Sequence, residues 1–73
     1  MSKIYKPFHY TQDNIEVIEF IEQVVQHYPP TEAYHIGNAI KYIARAPHKG
    51  SYIEDLEKAE NYLHRALRGV WHE

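Results

Sequence analysis

The residues best suited to chemistry share one stripe in the middle of the chain. An amide, two cations and an aromatic ring recur there at i, i+3, i+4 and i+7: Asn38, Lys41, Tyr42 and Arg45. Residues at this spacing lie on one face of a helix, and Tyr34 falls on the same stripe. A ring can stack on a base, a guanidinium grips two phosphate oxygens, Lys adds a point charge and an amide reads a base edge. The stripe therefore predicts a nucleotide- or phosphate-binding surface.

An ordinary solvated helix face with extended cations would show the same spacing. The charge distribution favours binding, because no Asp or Glu occurs between Ala33 and Ile53, where Lys41, Arg45 and Lys49 lie. Nothing nearby in sequence neutralises these cations. Gly37, inside the same helix, costs about 1 kcal/mol relative to Ala. Two explanations for it stay open, close approach by another helix or a ligand, and a defect that tertiary packing tolerates.

A second polar set follows on the last helical segment, at i, i+3, i+7 and i+10: Asp55, Lys58, Tyr62 and Arg65. Asp55 would position Mg²⁺ or accept a proton, with Lys58 and Arg65 on phosphates. The alternative is ordinary surface pairing at i, i+4, of Glu54 with Lys58 and of Asn61 with Arg65.

Lys49 and Gly50 precede the start of this helix, where backbone N–H groups and the helix dipole favour an anion. Neither Gly-x-x-x-x-Gly-Lys-Ser/Thr nor Gly-x-Gly-x-x-Gly is present. Phosphoryl transfer would therefore proceed without the standard phosphate-binding loop.

The six histidines do not predict a metal centre. They form no i, i+4 pair and no His-Glu-x-x-His motif, and the chain has no cysteine. We therefore expect no structural metal bound by the protein.

Proline and glycine divide the chain into three helical segments. The first is expected to begin near Asp13 or Asn14 and to run to about Tyr28, where Pro29 and Pro30 stop it. Four of its residues form the expected core stripe: Ile18, Ile21, Val25 and Tyr28. Three more widen the apolar arc and suggest a partner chain: Val17, Phe20 and Val24.

The second helix is expected to begin at Thr31 as N-cap and to end before Pro47. Its expected inward side comprises Ile36, Ala39, Ile40 and Ile43. The third opens at Ser51 as N-cap, ends near Gly69 and carries one apolar face: Ile53, Leu56, Ala59, Leu63, Ala66, Leu67 and Val70. A tight connection at residues 47–50 predicts an antiparallel hairpin of these two helices.

Length sets the architecture. The 73 residues suffice for one all-α domain, assigned to residues 13–73, after an N-terminal arm at residues 1–12. So short a chain buries only about 60% of the surface that its unfolded form exposes. Without disulfides or a structural metal, oligomerisation is the expected source of further stability.

Charge and hydropathy exclude several classes. The net charge of −2 argues against a DNA-coating protein, since such domains carry a strong basic excess. No apolar run approaches the roughly 18 residues of a membrane span. The first ten residues lack the apolar core of a signal peptide, and the absence of cysteine fits a reducing compartment, so we expect a cytoplasmic protein.

Several segments together resemble the SaV-like family of small phage and prophage proteins. The similarity runs from about Pro7 to Arg68 and rests on Gly-Asn-x-x-Lys-Tyr-x-x-Arg at residues 37–45, followed by Asp-Leu-x-Lys-Ala-x-x-Tyr-Leu at residues 55–63. His9-Tyr10, Glu16-Val17-Ile18-Glu19 and Lys49-Gly50 also match. The chain departs from the family pattern at Pro47-His48, where Gly-Lys is typical, at Asn61, where Trp is common, and at Glu19, where Asp is usual.

The resemblance implies a function, because this family includes a coliphage kinase of deoxynucleoside monophosphates that has no Walker motif. By resemblance, eight residues would line the nucleotide site: Asn38, Lys41, Tyr42, Arg45, Lys49, Asp55, Lys58 and Tyr62. His9 and Tyr10 would close it. Lys41, Arg45 and Asp55 would be catalytic, and any Mg²⁺ would arrive with the nucleotide. The setting would be the cytoplasm of a bacterial host cell.

Two alternatives stay open. The first is a non-catalytic protein that binds nucleotides or signalling molecules during infection. The second is a module that binds a host protein through the stripe of Val17, Phe20 and Val24. The departure at residues 47–48 removes one typical cation, and this bears on catalysis more than on binding.

Overall fold

A computed structural model describes residues 11–12, 15–48 and 50–71 of the chain, with side chains from residue 15 onward. Strands β1 (Thr11–Gln12) and β2 (Ile15–Glu16) form a short antiparallel pair, with Thr11 opposite Glu16. Three helices follow: α1 (Val17–Val25), α2 (Pro30–Arg45) and α3 (Tyr52–Arg68). A 3₁₀ turn at Ala46–His48 continues α2. The prediction of a small all-α domain with three helices is confirmed.

Prolines set the boundary between α1 and α2. The extension of α1 to Tyr28 is wrong, because the helix ends at Val25 and a turn follows in which the Tyr28 N–H donates to the Val25 carbonyl at 3.0 Å. Helical geometry is disfavoured at Tyr28 because this residue precedes Pro29, so α1 ends before it. Thr31 is not the N-cap either. Pro29 takes that position and Pro30 is the first helical residue, where a missing N–H costs nothing.

The expected start of α1 near Asp13 or Asn14 is also wrong, because the helix begins at Val17, directly after β2. The boundaries of α3 agree with the sequence. Ser51 is the N-cap residue of α3, although its hydroxyl makes no capping hydrogen bond. The helix ends at Gly69, whose φ of 82° is the left-handed conformation that glycine adopts readily, and its N–H donates to the Arg65 carbonyl at 2.9 Å. The prediction of where α3 begins and ends is confirmed.

Helices α2 and α3 form the expected antiparallel hairpin. Arg45 near the end of α2 contacts Asp55 near the start of α3, and Tyr42, one turn earlier on α2, stacks on Tyr62, two turns later on α3. His35, nearer the start of α2, packs on Trp71 beyond the end of α3. These contacts run in opposite directions along the two helices.

Helix α2 lies between its two neighbours. Gly37 meets α1 through Ile21, whereas Ala39, which is buried, is turned by about 200° around the helix from Gly37 and lies on the α3 side. The molecule measures 40 × 31 × 17 Å, which is flat for a chain of this size. The three helices thus form one layer rather than a closed bundle.

A single layer leaves most large apolar side chains exposed. Among the described residues, the buried apolar ones are Val17, Ala39, Ala46 and Ala59. Several residues expected in the core are instead more than a third exposed: Ile18, Tyr28, Ile43, Ile53, Leu56, Leu63, Leu67 and Val70. Conversely, Val17, which was expected on a partner-facing stripe, is only 5% exposed. Ala39 and Ala59 are buried as expected, but the assignment of the α3 leucines to the core is wrong, because α3 turns Ala59 and Asp55 toward α2.

Candidate functional site

Three cations from two helices surround the ring of Tyr42. The Nζ atoms of Lys41 and Lys58 lie 4.6 and 5.3 Å from the ring centroid, and the Cζ atom of Arg45 lies 5.7 Å from it. Lys41, Tyr42 and Arg45 share little more than one turn of α2, and the antiparallel packing brings Lys58 from α3. Each cation is within cation–π distance of the electron-rich ring face. The site therefore concentrates positive charge around one aromatic side chain.

Arg45 is held by a buried carboxylate. Its Nε atom lies 3.3 Å from Oδ2 of Asp55, whose side chain is 0% exposed, while the Arg45 side chain is 32% exposed. Neither that nitrogen nor the Asp55 oxygens find a well-aligned hydrogen-bond partner, so the contact is an ion pair of imperfect geometry. Asp55 lies beneath Arg45 and fixes the position of the guanidinium. In this arrangement its carboxylate is not presented to a ligand.

An aromatic cluster continues the site toward the end of α3. Tyr62 stacks on Tyr42 with ring centroids 5.9 Å apart and planes inclined by 15°. Tyr34, His35 and Trp71 also pack on Tyr62, with centroids 6.2, 6.2 and 5.4 Å away. Partial burial raises the pKa of the Tyr62 hydroxyl above its usual value of 10.0, and the neighbouring Tyr34 and Tyr42 add to this rise. The Tyr62 hydroxyl is therefore neutral at physiological pH and can donate a hydrogen bond.

A groove of about 420 Å³ adjoins the cations on the α1 side of α2. Its floor is apolar and its α2 wall is polar; the lining residues are Ile18, Ile21, Val25, Ala33, Tyr34, Gly37, Asn38 and Lys41. The Asn38 amide nitrogen donates to the Tyr34 carbonyl at 2.9 Å, which leaves the amide oxygen as the acceptor for a ligand. Lys41 belongs both to this groove and to the cations around Tyr42. The two parts of the site are thus continuous.

Gly37 makes this groove possible. A Cβ atom at this position would lie 3.1 Å from Cγ2 of Ile21 and 3.6 Å from Cγ1 of Val25. Close approach of α1 therefore explains the glycine, which decides between the two explanations that the sequence left open.

The structure brings most of the sequence-predicted site residues together. Lys41, Tyr42, Arg45, Lys58 and Tyr62 form one cluster, with Asp55 beneath it and Asn38 in the adjoining groove. Arg65 lies apart from Tyr42, with its Cζ atom 5.7 Å from the Trp71 ring centroid. His9, Tyr10 and Lys49 lie outside the described residues.

The side chains of this cluster are poor ligands for a metal ion held by the protein. Cations dominate it, and its one carboxylate, that of Asp55, is covered by Arg45. No group of three His, Asp or Glu side chains able to hold a metal occurs among the residues that the structure describes.

A family model described as a protein of unknown function (DUF3310) matches residues 4–64, most of the chain. The chain belongs to the DUF3310 family. No curated protein and no solved structure matches this DUF3310 protein. Within the described residues, no helix is long and apolar enough to cross a membrane.

Two features of the DUF3310 protein escaped sequence reasoning. Trp71 packs on both His35 and Tyr62, although no motif or spacing in the sequence singled it out. Ile18 and Ile21 line the polar groove, although the helical spacing assigned them to the core. The position of Ile21 beside Gly37 of the neighbouring helix becomes apparent only from the packing of α1 on α2.

Proposed function

We propose that this protein binds a nucleotide, with the phosphate between the cations around Tyr42 and the base in the groove beside Asn38. The convergence of Lys41, Arg45 and Lys58 on one ring supports this proposal most directly. Asp55 offsets one of these charges, so positive charge is left in excess. A phosphate group between the cations would relieve their mutual repulsion and gain charge-assisted hydrogen bonds.

The groove suits the remainder of a nucleotide. Its volume of about 420 Å³ falls in the range of small-ligand pockets, roughly 300–1,000 Å³. Its floor is apolar, and Tyr34, which is 65% exposed, supplies a ring at its edge. A base on this floor would stack near Tyr34 and meet the Asn38 amide oxygen. Tyr34 rather than Tyr42 is then the base-stacking residue, because Tyr42 is already stacked on Tyr62.

The resemblance to the SaV-like family adds the proposal of phosphoryl transfer. In that reaction Lys41, Lys58 and Arg45 would neutralise charge on the transferred group, and Asp55 would act as a positioning residue for Arg45. Any Mg²⁺ would be held by the nucleotide's own phosphates. The buried position of Asp55 favours binding over transfer, since the carboxylate is not placed to accept a proton from a substrate hydroxyl.

Calorimetric titration with deoxynucleoside monophosphates tests the binding site. We expect Lys41→Ala and Lys58→Ala each to weaken binding by roughly tenfold or more, because each removes a charge-assisted contact. Arg68→Ala is the matched control: it removes an exposed cation near the end of α3, away from the ring of Tyr42, and should leave affinity unchanged. Equal affinity in all three variants would contradict the proposed phosphate position.

The base position has its own test. Tyr34→Ala should weaken binding of the monophosphates while leaving the affinity for inorganic phosphate unchanged. Loss of both affinities together would place the base elsewhere.

Turnover is measured separately, by incubating a bound monophosphate with ATP and Mg²⁺ and following formation of the diphosphate. Product formation that Arg45→Gln abolishes would establish the kinase. Binding without turnover would leave a protein that sequesters nucleotides. Absence of binding would favour the host-protein module.

A further inference from the structure

The outer side of α3 carries an apolar seam that nothing in the described structure covers. It consists of Ile53, Leu56, Leu63 and Leu67, all exposed, with Leu67 at 75% and Ile53 at 64%. Together with Glu60, these positions follow one another at intervals of three and four residues, which is the heptad spacing of a helix that packs along another helix. Scattered surface leucines would not keep this register.

The seam lies away from the candidate nucleotide site. Leu56 and Lys58 are two residues apart, as are Leu63 and Arg65, and two residues correspond to about 200° around a helix. Whatever covers the seam therefore leaves the cations around Tyr42 accessible.

Charge beside the seam indicates what covers it. Glu57 flanks the seam in the first half of α3, whereas His64 and Arg68 flank it on the same side in the second half, which has no acidic residue. A second copy in the opposite direction places each acidic half against a basic half. A parallel copy would place like charges together.

We propose that two copies of the chain associate through the seam with their α3 helices antiparallel. Pairing the a positions of one helix with the d positions of the other sets Leu56 against the partner's Leu67, and Glu60 beside the partner's Leu63. Because the interface obeys a two-fold axis, each such contact occurs twice. The proposal does not depend on nucleotide binding.

A substitution on the seam tests the interface by analytical ultracentrifugation. Leu67→Glu should raise the dissociation constant by about a hundredfold or more, because each of two further carboxylates would be buried against the partner's Leu56. Its exposure in the single chain means that the fold itself tolerates the change, and helical circular dichroism checks this. Phe20→Glu, a half-exposed apolar residue on α1, is the matched control and should remain associated.

Three outcomes would overturn the proposal. A monomeric wild-type protein would mean that the chain covers the seam itself or leaves it open for a different protein. An associated Leu67→Glu variant would place the interface elsewhere. Dissociation by Phe20→Glu alone would move the interface to the face of α1 that carries Phe20.

Because the chain has no cysteine, introduced cysteines can test the relative orientation of the two α3 helices without disrupting the interface. Leu56→Cys and Leu67→Cys proteins, mixed under mild oxidation, should form a disulfide-linked dimer, whereas each alone should form little. The same mixture in denaturant should cross-link in all combinations, which shows that the preference belongs to the folded protein. Efficient cross-linking of Leu56→Cys alone would indicate a parallel pair and would overturn the antiparallel arrangement.

Discussion

The contact between Arg45 and Asp55 joins the stability of the helical hairpin to the charge of the candidate site. Asp55 is fully buried, and its oxygens lack aligned hydrogen bonds. The guanidinium of Arg45 therefore offsets the cost of burying this carboxylate. Arg45 is partly exposed, so water can solvate its guanidinium if the carboxylate is removed. The two partners therefore differ in what their loss should cost.

We expect Arg45→Gln to lower the free energy of unfolding by about 2 kcal/mol, because it leaves a buried carboxylate uncompensated. Because Arg45 is partly exposed, we expect this loss of stability to be smaller than that for a fully buried ion pair. Asp55→Asn should stay within about 1 kcal/mol of the wild type, since it removes the buried charge itself. Urea denaturation of both variants measures the difference, and equal losses would contradict the asymmetry.

The raised pKa of Tyr62 predicts how the free energy of unfolding depends on pH in alkaline solution. Its pKa is raised in the folded protein, so the folded state holds the proton more tightly than the unfolded state above pH 10.0. The stabilisation is complete below that pH and is lost as pH rises through the folded-state pKa. The free energy of unfolding should therefore fall less steeply with alkaline pH in Tyr62→Phe than in the wild type.

Urea denaturation at a series of pH values measures this slope. Tyr52→Phe, which removes an exposed phenol outside the aromatic cluster, is the control. If Tyr62→Phe keeps the wild-type slope, the aromatic cluster does not perturb that hydroxyl.

At the scale of elements, Gly37 sets the distance between α1 and α2. Alanine there would gain about 1 kcal/mol of helix propensity, but its Cβ would press on Cγ2 of Ile21 at 3.1 Å. We expect these terms to leave Gly37→Ala within about 1 kcal/mol of the wild type. Gly37→Leu should cost about 1–3 kcal/mol, because α1 must move away.

Thermal unfolding followed by circular dichroism measures both variants. Thr31→Leu serves as a control for a leucine at an exposed position of α2, and it should cost little. A Gly37→Leu protein as stable as this control would show that α1 does not pack closely on the glycine.

The end of α2 and both limits of α3 could be predicted from the sequence because proline, serine and glycine act locally. The direction of the apolar faces could not. The pattern on α3 shows which side is apolar, but Leu63 and Leu67 are exposed because a single layer covers only the side of Ala59. Likewise, spacing along α2 located Lys41 and Arg45 correctly, whereas the contact with Asp55 depends on how two helices pack.

At the scale of the whole molecule, the flat layer separates two functions onto two surfaces. The cations around Tyr42 lie on one side of the hairpin, and the seam on α3 points away from them. A closed bundle of three helices would have enclosed the leucines and left one kind of surface. Here ligand binding and self-association use different residues, and mutations in the two sets should act additively.

This separation predicts the behaviour of melting temperatures. The wild-type melting temperature should rise with protein concentration, because only the folded chain associates, whereas that of Leu67→Glu should not. A deoxynucleoside monophosphate should raise both melting temperatures equally. Lys41→Ala should lose the ligand-induced rise and keep the concentration dependence. If Leu67→Glu also loses the ligand-induced rise, the two surfaces are coupled and the nucleotide site requires residues of both copies.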